Sequence, residues 1–443
     1  MTFGKYRWLG AIIVLVGGLL SSLPASGQPG DNVRSSGGWV LSPSITLSGS
    51  YNTNVFRTSS QEFEPVVDST AATLKPRLSV DSPKERVFLL SFVGDAAWQQ
   101  YLGQLRGVEQ SIDVGEQSGL STNLNLSGHL NPDGNFSLQL DELFNRQNVP
   151  SPTPGADPYN WYTNTLGATA GIHPGGRVLR VDLGYDWRTY GYESDALEGL
   201  DRQEHHFNFN GQWSFLPKTQ LFVDATYGLV RWEQRERFGI AGSADQVLIN
   251  SESTPLRVQG GLSGRVTRRI GIRAQAGYGW SFHEEGPSFD GVLGQFGLAF
   301  AYGRLASKNS LELGYRKDFG ISTVGNFFAL HEVFTTVEQG LWDRMMTLYL
   351  SGRFQVRDYS TDAGQATELD DLGGSLNDEL LAGRAGIRAD LGKWLSADLR
   401  YGIRANFTDD RVDVPAVDPD DPSLAVLREY TQHLITLSTT FKY

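Results

Sequence analysis

The chain ends on His433, Leu434, Ile435, Thr436, Leu437, Ser438, Thr439, Thr440, Phe441, Lys442 and Tyr443. Because successive side chains of a β-strand point to opposite sides, His433, Ile435, Leu437, Thr439, Phe441 and Tyr443 share one face. Leu434, Thr436, Ser438, Thr440 and Lys442 share the other. The pattern continues upstream. Leu395, Ala397, Leu399, Tyr401 and Ile403 alternate with Ser396, Asp398, Arg400, Gly402 and Arg404, and Leu179, Val181, Leu183, Tyr185 and Trp187 with Arg180, Asp182, Gly184, Asp186 and Arg188. Phe207, Phe209, Gly211, Trp213 and Phe215 do the same with His206, Asn208, Asn210, Gln212 and Ser214. Strands patterned in this way from early to late in the chain expect an apolar phase on one side and water on the other.

The alternating segments recur about twice in every forty-odd residues, a fixed period that marks a repeated unit, here a β-hairpin. Short connections are expected at 82–84, 131–134, 174–176, 216–218, 267–269, 306–308, 341–343 and 391–393, and long ones at 57–68, 148–158, 193–202, 234–252, 360–376 and 409–426. Short turns on one side and long loops on the other are the asymmetry of an outer-membrane barrel. The expected fold is all-β, a transmembrane antiparallel up-and-down β-barrel of about 18 strands, or 16 given the ambiguous register at 102–119 and 320–325. Its closing strand resembles the C-terminal signature of bacterial outer-membrane barrels, which implies that Phe441 and Tyr443 are read by the barrel-assembly machinery.

Composition fits this reading. Mean hydropathy is -0.30, which a window scan would score as soluble, but strands that alternate between lipid and lumen average out to near neutrality. Gly 51, aromatic 11%, Met 3 and Cys 0 favour twisted strands and tight turns over packed helices. The absence of cysteine rules out disulfides and thiolate metal sites, and the net charge of -12 argues against a nucleic-acid partner. Lys5 and Arg7, the apolar run from Trp8 to Leu20 and the small residues Ala25, Ser26 and Gly27 are ordered as in a secretory signal peptide. The run falls short of the ~20 residues of a spanning helix. The expected organisation is a cleaved signal peptide at 1–27, a short periplasmic segment at 28–38 and an outer-membrane barrel at 39–443. A soluble β-propeller is the rival fold, but its strands are shorter than the about 12 to 16 residues expected here, which suit a tilted bilayer crossing.

Tryptophans gather near strand ends: Trp213, Trp342 and Trp394 beside short turns, and Trp98, Trp161, Trp187, Trp232 and Trp280 towards long loops. Two interfacial girdles would have this distribution.

Behind the first strand stand Ser50, Tyr51, Asn52, Thr53, Asn54, Val55, Phe56, Arg57 and Thr58, then an acidic loop, then Asp68, Ser69, Thr70, Leu74, Lys75, Pro76, Arg77 and Leu78. This opening resembles the putative β-barrel porin 2 family, whose members begin with a Tyr-Asp-x-Asn-Val-Phe segment followed by an Asp-x-x-x-x-Leu-x-Pro-x-Leu strand. Asn52 stands where that family usually has Asp, and the spacing from Asp68 to Leu74 is slightly longer. The resemblance implies an outer-membrane barrel. Some of its members are similar to barrels encoded with exopolysaccharide synthesis and export systems, which implies polysaccharide as cargo and periplasmic polysaccharide-export components as partners.

Residues able to catalyse hydrolysis do not assemble into a motif. Gly260, Gly261, Leu262, Ser263 and Gly264 lack the spacing of a nucleophile elbow, and no serine is placed beside His205, His206, His283 or His331. The expectation is no enzymatic activity, no cofactor and no metal. His205 and His206 point to opposite faces of one strand, and Asp409, Asp410, Asp413, Asp418, Asp420 and Asp421 do not follow a calcium-loop pattern.

The informative set is the inward face. Arg180, Arg188, Arg257, Arg265, Arg273, Arg316, Arg353, Arg384, Arg388, Arg400 and Arg404 should face the lumen with Asp182, Asp186, Asp224, Glu312, Asp390 and Asp398, since an Arg at the lipid midplane costs ~2–4 kcal/mol. They can pair across strands, and they can offer successive weak contacts to an anionic or hydroxyl-rich solute. The expected function is an outer-membrane pore or export conduit for polysaccharide or other hydrophilic solutes. A general diffusion porin for small anions and a non-conducting structural or adhesive barrel are the alternatives. Lipid and lipopolysaccharide are the expected surroundings.

Overall fold

A computed structural model describes residues 32–35, 37–57, 66–84, 87–102, 114–150, 158–174, 178–233, 237–238, 247–248, 251–303, 309–322, 326–342, 345–360, 377–408 and 429–443. The signal-peptide expectation at 1–27 and the acidic run from Asp409 to Asp421 lie outside them. The wall consists of β1 (Val40–Asn52), β2 (Ser69–Asp81), β3 (Phe88–Leu102), β4 (Gly119–Leu130), β5 (Phe136–Val149) and β6 (Tyr159–Ile172). It continues through β7 (Leu179–Tyr192), β8 (Arg202–Leu216), β9 (Thr219–Trp232), β10 (Ser253–Arg265), β11 (Ile270–His283) and β12 (Phe289–Ala301). β13 (Ser310–Ile321), β14 (Phe327–Leu341), β15 (Met346–Tyr359), β16 (Asn377–Asp390), β17 (Leu395–Phe407) and β18 (Tyr430–Lys442) complete it. Each strand is antiparallel to the next, and β18 returns to β1 from Ser44↔Lys442 to Asn52↔Leu434, so 18 strands form a closed cylinder. Such closure leaves no edge row of unpaired backbone groups at the terminal seam.

The alternation sorts the two faces. Leu179, Leu183, Tyr185, Leu399, Tyr401, Ile435, Leu437 and Phe441 are exposed apolar residues on the outside. Contacts that skip a strand identify the concave side, because chords are short only inside a cylinder: Tyr349 on β15 donates to Asp398 on β17 at 3.0 Å. Several charges depart from the sorting, among them Lys317, opposite outward-facing His331, and Asp290, which shares the parity of exposed Val292. The register places Glu142 of β5 opposite Leu126 and Leu166, on the face carrying exposed Phe136 and Leu140.

The eight expected short turns fall between strands at the end holding the start of β1 and the close of β18, the residues 306–308 themselves lying outside the described ones, and nine connections lie at the other end. The connection at 103–118 joins β3 to β4, where the sequence register was ambiguous, and the outer links at 284–288 and 322–326 are short. Trp213, Trp342 and Trp394 are exposed near the short turns, as is Trp98 towards the outer end. Trp161 and Trp232, expected with the outer belt, instead point inward and are buried. On the outer face Tyr185, Tyr315 and Tyr401 each place their hydroxyl 2.8 Å from the Nδ1 of a histidine on the following strand, His205, His331 and His433 respectively. Two-residue strand Val33–Arg34 folds back on the start of β1.

Candidate functional site

The interior differs between its two ends. At the outer end the connection 193–201 carries a 3-10 turn, Asp195–Leu200, that sends Leu197 and Leu200 inward. They pack with Val149, Trp161, Tyr192, Val230 and Trp232, and Ile321 from the opposite wall joins them. A second inner cluster unites Val55, Phe56 and Val67 from the first loop with Ala71, Tyr101 and Val114. The outer mouth is therefore filled by apolar side chains from loops and strand tips. These loop residues carry no strand periodicity, which is why the sequence placed them only in an outer connection.

The ionic groups embedded in this filled region are paired. Arg202 donates from Nε to Glu204 at 2.8 Å, and its guanidinium lies 3.9 Å from the Tyr190 ring and 5.3 Å from that of Trp232. Glu204 also faces His206 Nε2 at 2.9 Å and Arg188 Nη1 at 3.7 Å. Arg357 donates to Gln355 at 2.6 Å and stands 3.7 Å from Asp378, with Arg357 5% and Asp378 2% exposed. Neither Arg202 nor Arg357 belongs to the expected inward set. Arg202 opens β8, at a position that the sequence pattern reads as the end of the preceding loop; Arg357 follows Arg353 at the same parity and is legible from alternation alone.

Towards the short-turn end the inner face is more open. Arg273 lies over the Phe222 ring at 4.4 Å and 3.7 Å from Asp224, both partners about half to one-third exposed. Arg265, Arg273, Lys218, Gln295 and Glu312 border a cavity of about 580 Å³. Arg265 and Arg384 have no carboxylate partner among the described residues. Elsewhere on this face Arg180 pairs with Asp182 at 2.6 Å, Arg257 with Asp318 at 3.1 Å and Arg316 with Glu332 at 3.3 Å. Arg388 and Arg400 converge on Asp398 at 3.7 and 3.4 Å, with Tyr349 bridging Arg400 and Asp398. Arg353 is opposite Phe334 and Ala382, and Arg404 opposite Ala382 and Gln432. At the seam Phe441 stacks on Trp394 at 6.4 Å, and Tyr443 N–H donates to Pro43 O at 3.1 Å.

A closed antiparallel cylinder with an apolar outer band and polar inner face defines an outer-membrane β-barrel. Residues 28–287, more than half of the chain, match the family described as Putative beta-barrel porin 2, and the protein belongs to that family. It is a porin-like barrel of the Gram-negative outer membrane. No curated protein matches it by sequence. Among solved structures it is similar to the FrpB iron transporter from Neisseria meningitidis (F3-3 variant), at 10% identity and a TM-score of 0.46 over 90% of this chain and 81% of that one. It is also similar to Acinetobacter baumannii OccAB4, at 10% identity and 0.45 over 94% and 100%. Pseudomonas aeruginosa OccK5 (OpdH) gives 10% and 0.46 over 91% and 98%.

Proposed function

We propose that the barrel is a passive outer-membrane conduit for polysaccharide or other hydrophilic solutes, which move past the inner arginines without covalent chemistry. The observation that carries this is the open, half-solvated basic surface around Arg265 and Arg273, bordering a cavity of about 580 Å³ at the short-turn end. Half-solvated guanidinium groups, that of Arg273 shared with Asp224, attract an anionic or hydroxyl-rich solute only weakly, so that it enters and leaves. On this reading the inward arginines from Arg180 to Arg404 form the transport path, Phe441 and Tyr443 the signal for the assembly machinery, and lipopolysaccharide the outer surroundings. Periplasmic polysaccharide-export components would deliver the cargo.

The filled outer mouth favours a second reading, a diffusion porin for small anions. Planar-bilayer recordings separate them. Current block by an anionic polysaccharide such as alginate, added at the short-turn side, supports the first. An anion-selective current indifferent to the polymer supports the second, and a correctly folded barrel with no current under any condition overturns both.

A further inference from the structure

β12 and β13 are consecutive in the chain, yet their ladder runs only from Ala301↔Ser310 to Gly294↔Lys317. Beyond it Phe289–Leu293 remains paired to β11 throughout, and Asp318–Ile321 to β14. Each strand keeps one neighbour and loses the other. Continued in the same register, the ladder would set Phe319 beside Val292 on the lipid side, where Val292 is 57% exposed. Phe319 is instead 4% exposed and stacks on Phe289, ring centroids 4.3 Å apart. Leu293, on the inner face, is wholly buried in the same cluster, and Phe327 meets Phe289 edge-on at 5.5 Å. With Ile321 reaching the cluster around Leu197, the tip of β13 leans into the mouth rather than completing the wall.

The backbone that lost β12 is satisfied by side chains. Asp318 Oδ1 accepts from Phe319 N–H at 2.8 Å, and Arg257 donates to Phe319 O at 2.6 Å and to Asp318 at 3.1 Å. The Arg257 guanidinium also lies 3.9 Å from the Phe319 ring centroid. Arg257 thus latches the inturned tip from β10.

We infer that the gap between the outer halves of β12 and β13 is a lateral portal, which admits the acyl chain of a membrane amphiphile from the outer leaflet into the cluster of Phe289, Leu293 and Phe319. The occupant follows from what borders the gap. It opens on the outer face beside exposed Val292, with Phe296 and Val333 also facing lipid and the charges of Asp290 and Lys317 at the same parity along its border, a mix of hydrocarbon and polar groups that an amphiphile matches. Its back wall is two stacked rings and a leucine, a surface that holds an alkyl tail and offers a hydrated polymer almost nothing. The same strand tip cannot both seal the wall and fill the mouth, so side entry and axial passage are coupled. This inference goes beyond the conduit reading and is tested by a readout other than current.

The absence of native cysteine permits a single labelled site. Phe319→Cys is labelled with benzophenone maleimide while unfolded, then refolded into phosphatidylethanolamine and phosphatidylglycerol vesicles containing an alkyne-tailed phosphatidylcholine. After irradiation, position 319 should give a lipid adduct comparable to that of lipid-facing Val333→Cys. The yield should be about tenfold above Phe222→Cys, an inner-face site away from the gap. Adding Asp318→Ala should raise it further by freeing the latch. A yield at 319 no higher than at 222 overturns the portal, and insensitivity to Asp318→Ala overturns the latch. Heat-modifiable migration certifies folding of each variant; if Phe319→Cys fails that check, Leu293→Cys carries the label with the same expected ordering.

Discussion

Ion pairs of the same chemistry sit at both ends of the barrel interior, but the solvent around them differs. Arg357 and Asp378 at the outer end are 5% and 2% exposed, whereas the side chains of Arg273 and Asp224 towards the short turns are 48% and 34% exposed. The contrast teaches that burial, and not the presence of a pair, decides what an inner-face arginine does. Buried by infolded loops, a pair is structural, because removing one partner strands a charge out of water. Half-solvated, it contributes little to stability and remains available to a passing solute.

The sharpest way to break this contrast is at the buried end. Asp378→Ala leaves Arg357 without its carboxylate and should cost about 3–5 kcal/mol, read as a fall in the urea midpoint of the barrel in vesicles. A loss below ~1 kcal/mol, the size found for exposed pairs, would erase the distinction. Opening the mouth should act next most strongly, on current rather than stability. Leu197→Ser with Leu200→Ser removes the loop residues of the cluster that Ile321 joins, and single-channel conductance should rise several-fold; an unchanged conductance would locate the constriction elsewhere. At the solvated end, Arg265→Ala with Arg273→Ala should move the reversal potential in a salt gradient towards cation selectivity while altering stability by no more than about 1 kcal/mol. A shift in stability without one in selectivity would make these arginines structural too. The smallest effect concerns the lipid face. Glu142→Leu removes the carboxylate opposite Leu126 and Leu166 and should stabilise the barrel by about 1 kcal/mol, whereas destabilisation would mean that Glu142 has a partner in the membrane.

Much of the solvated half was legible in the sequence, because it consists of regular strands whose faces follow from parity. Alternation gave the strand number, the short turns and the side on which Arg180, Arg273 or Arg400 lies. The outer half was not, because its packing comes from residues outside the period. Leu197 and Leu200 lie in a stretch that reads as a polar loop, and nothing local says whether it turns out to solvent or back into the mouth. Trp161 and Trp232 have the parity of inner residues, yet nearness to the long loops suggested the outer belt. Phe319 is the most instructive: its parity is that of a lipid-facing residue, and the inward lean of the whole strand tip reverses what that face meets.

Glycine marks a further limit of the pattern. At Gly277, a side chain would collide with the carbonyl of Val258 and with the backbone of Gln259, so the approach of β10 to β11 there requires the missing side chain. Alternation alone assigns that position only to the inner face.

The seam between β1 and β18 sets the order in which the molecule can be made. The partner of the first long strand is the final one, and Tyr443 just beyond it donates its N–H to Pro43 O. Until β18 has been translated and secreted, β1 has nothing to hydrogen-bond on that side, and the sixteen strands between them must cross the periplasm with a sticky strand exposed. A transit escort that shields such strands is therefore as much a requirement of this topology as the membrane itself.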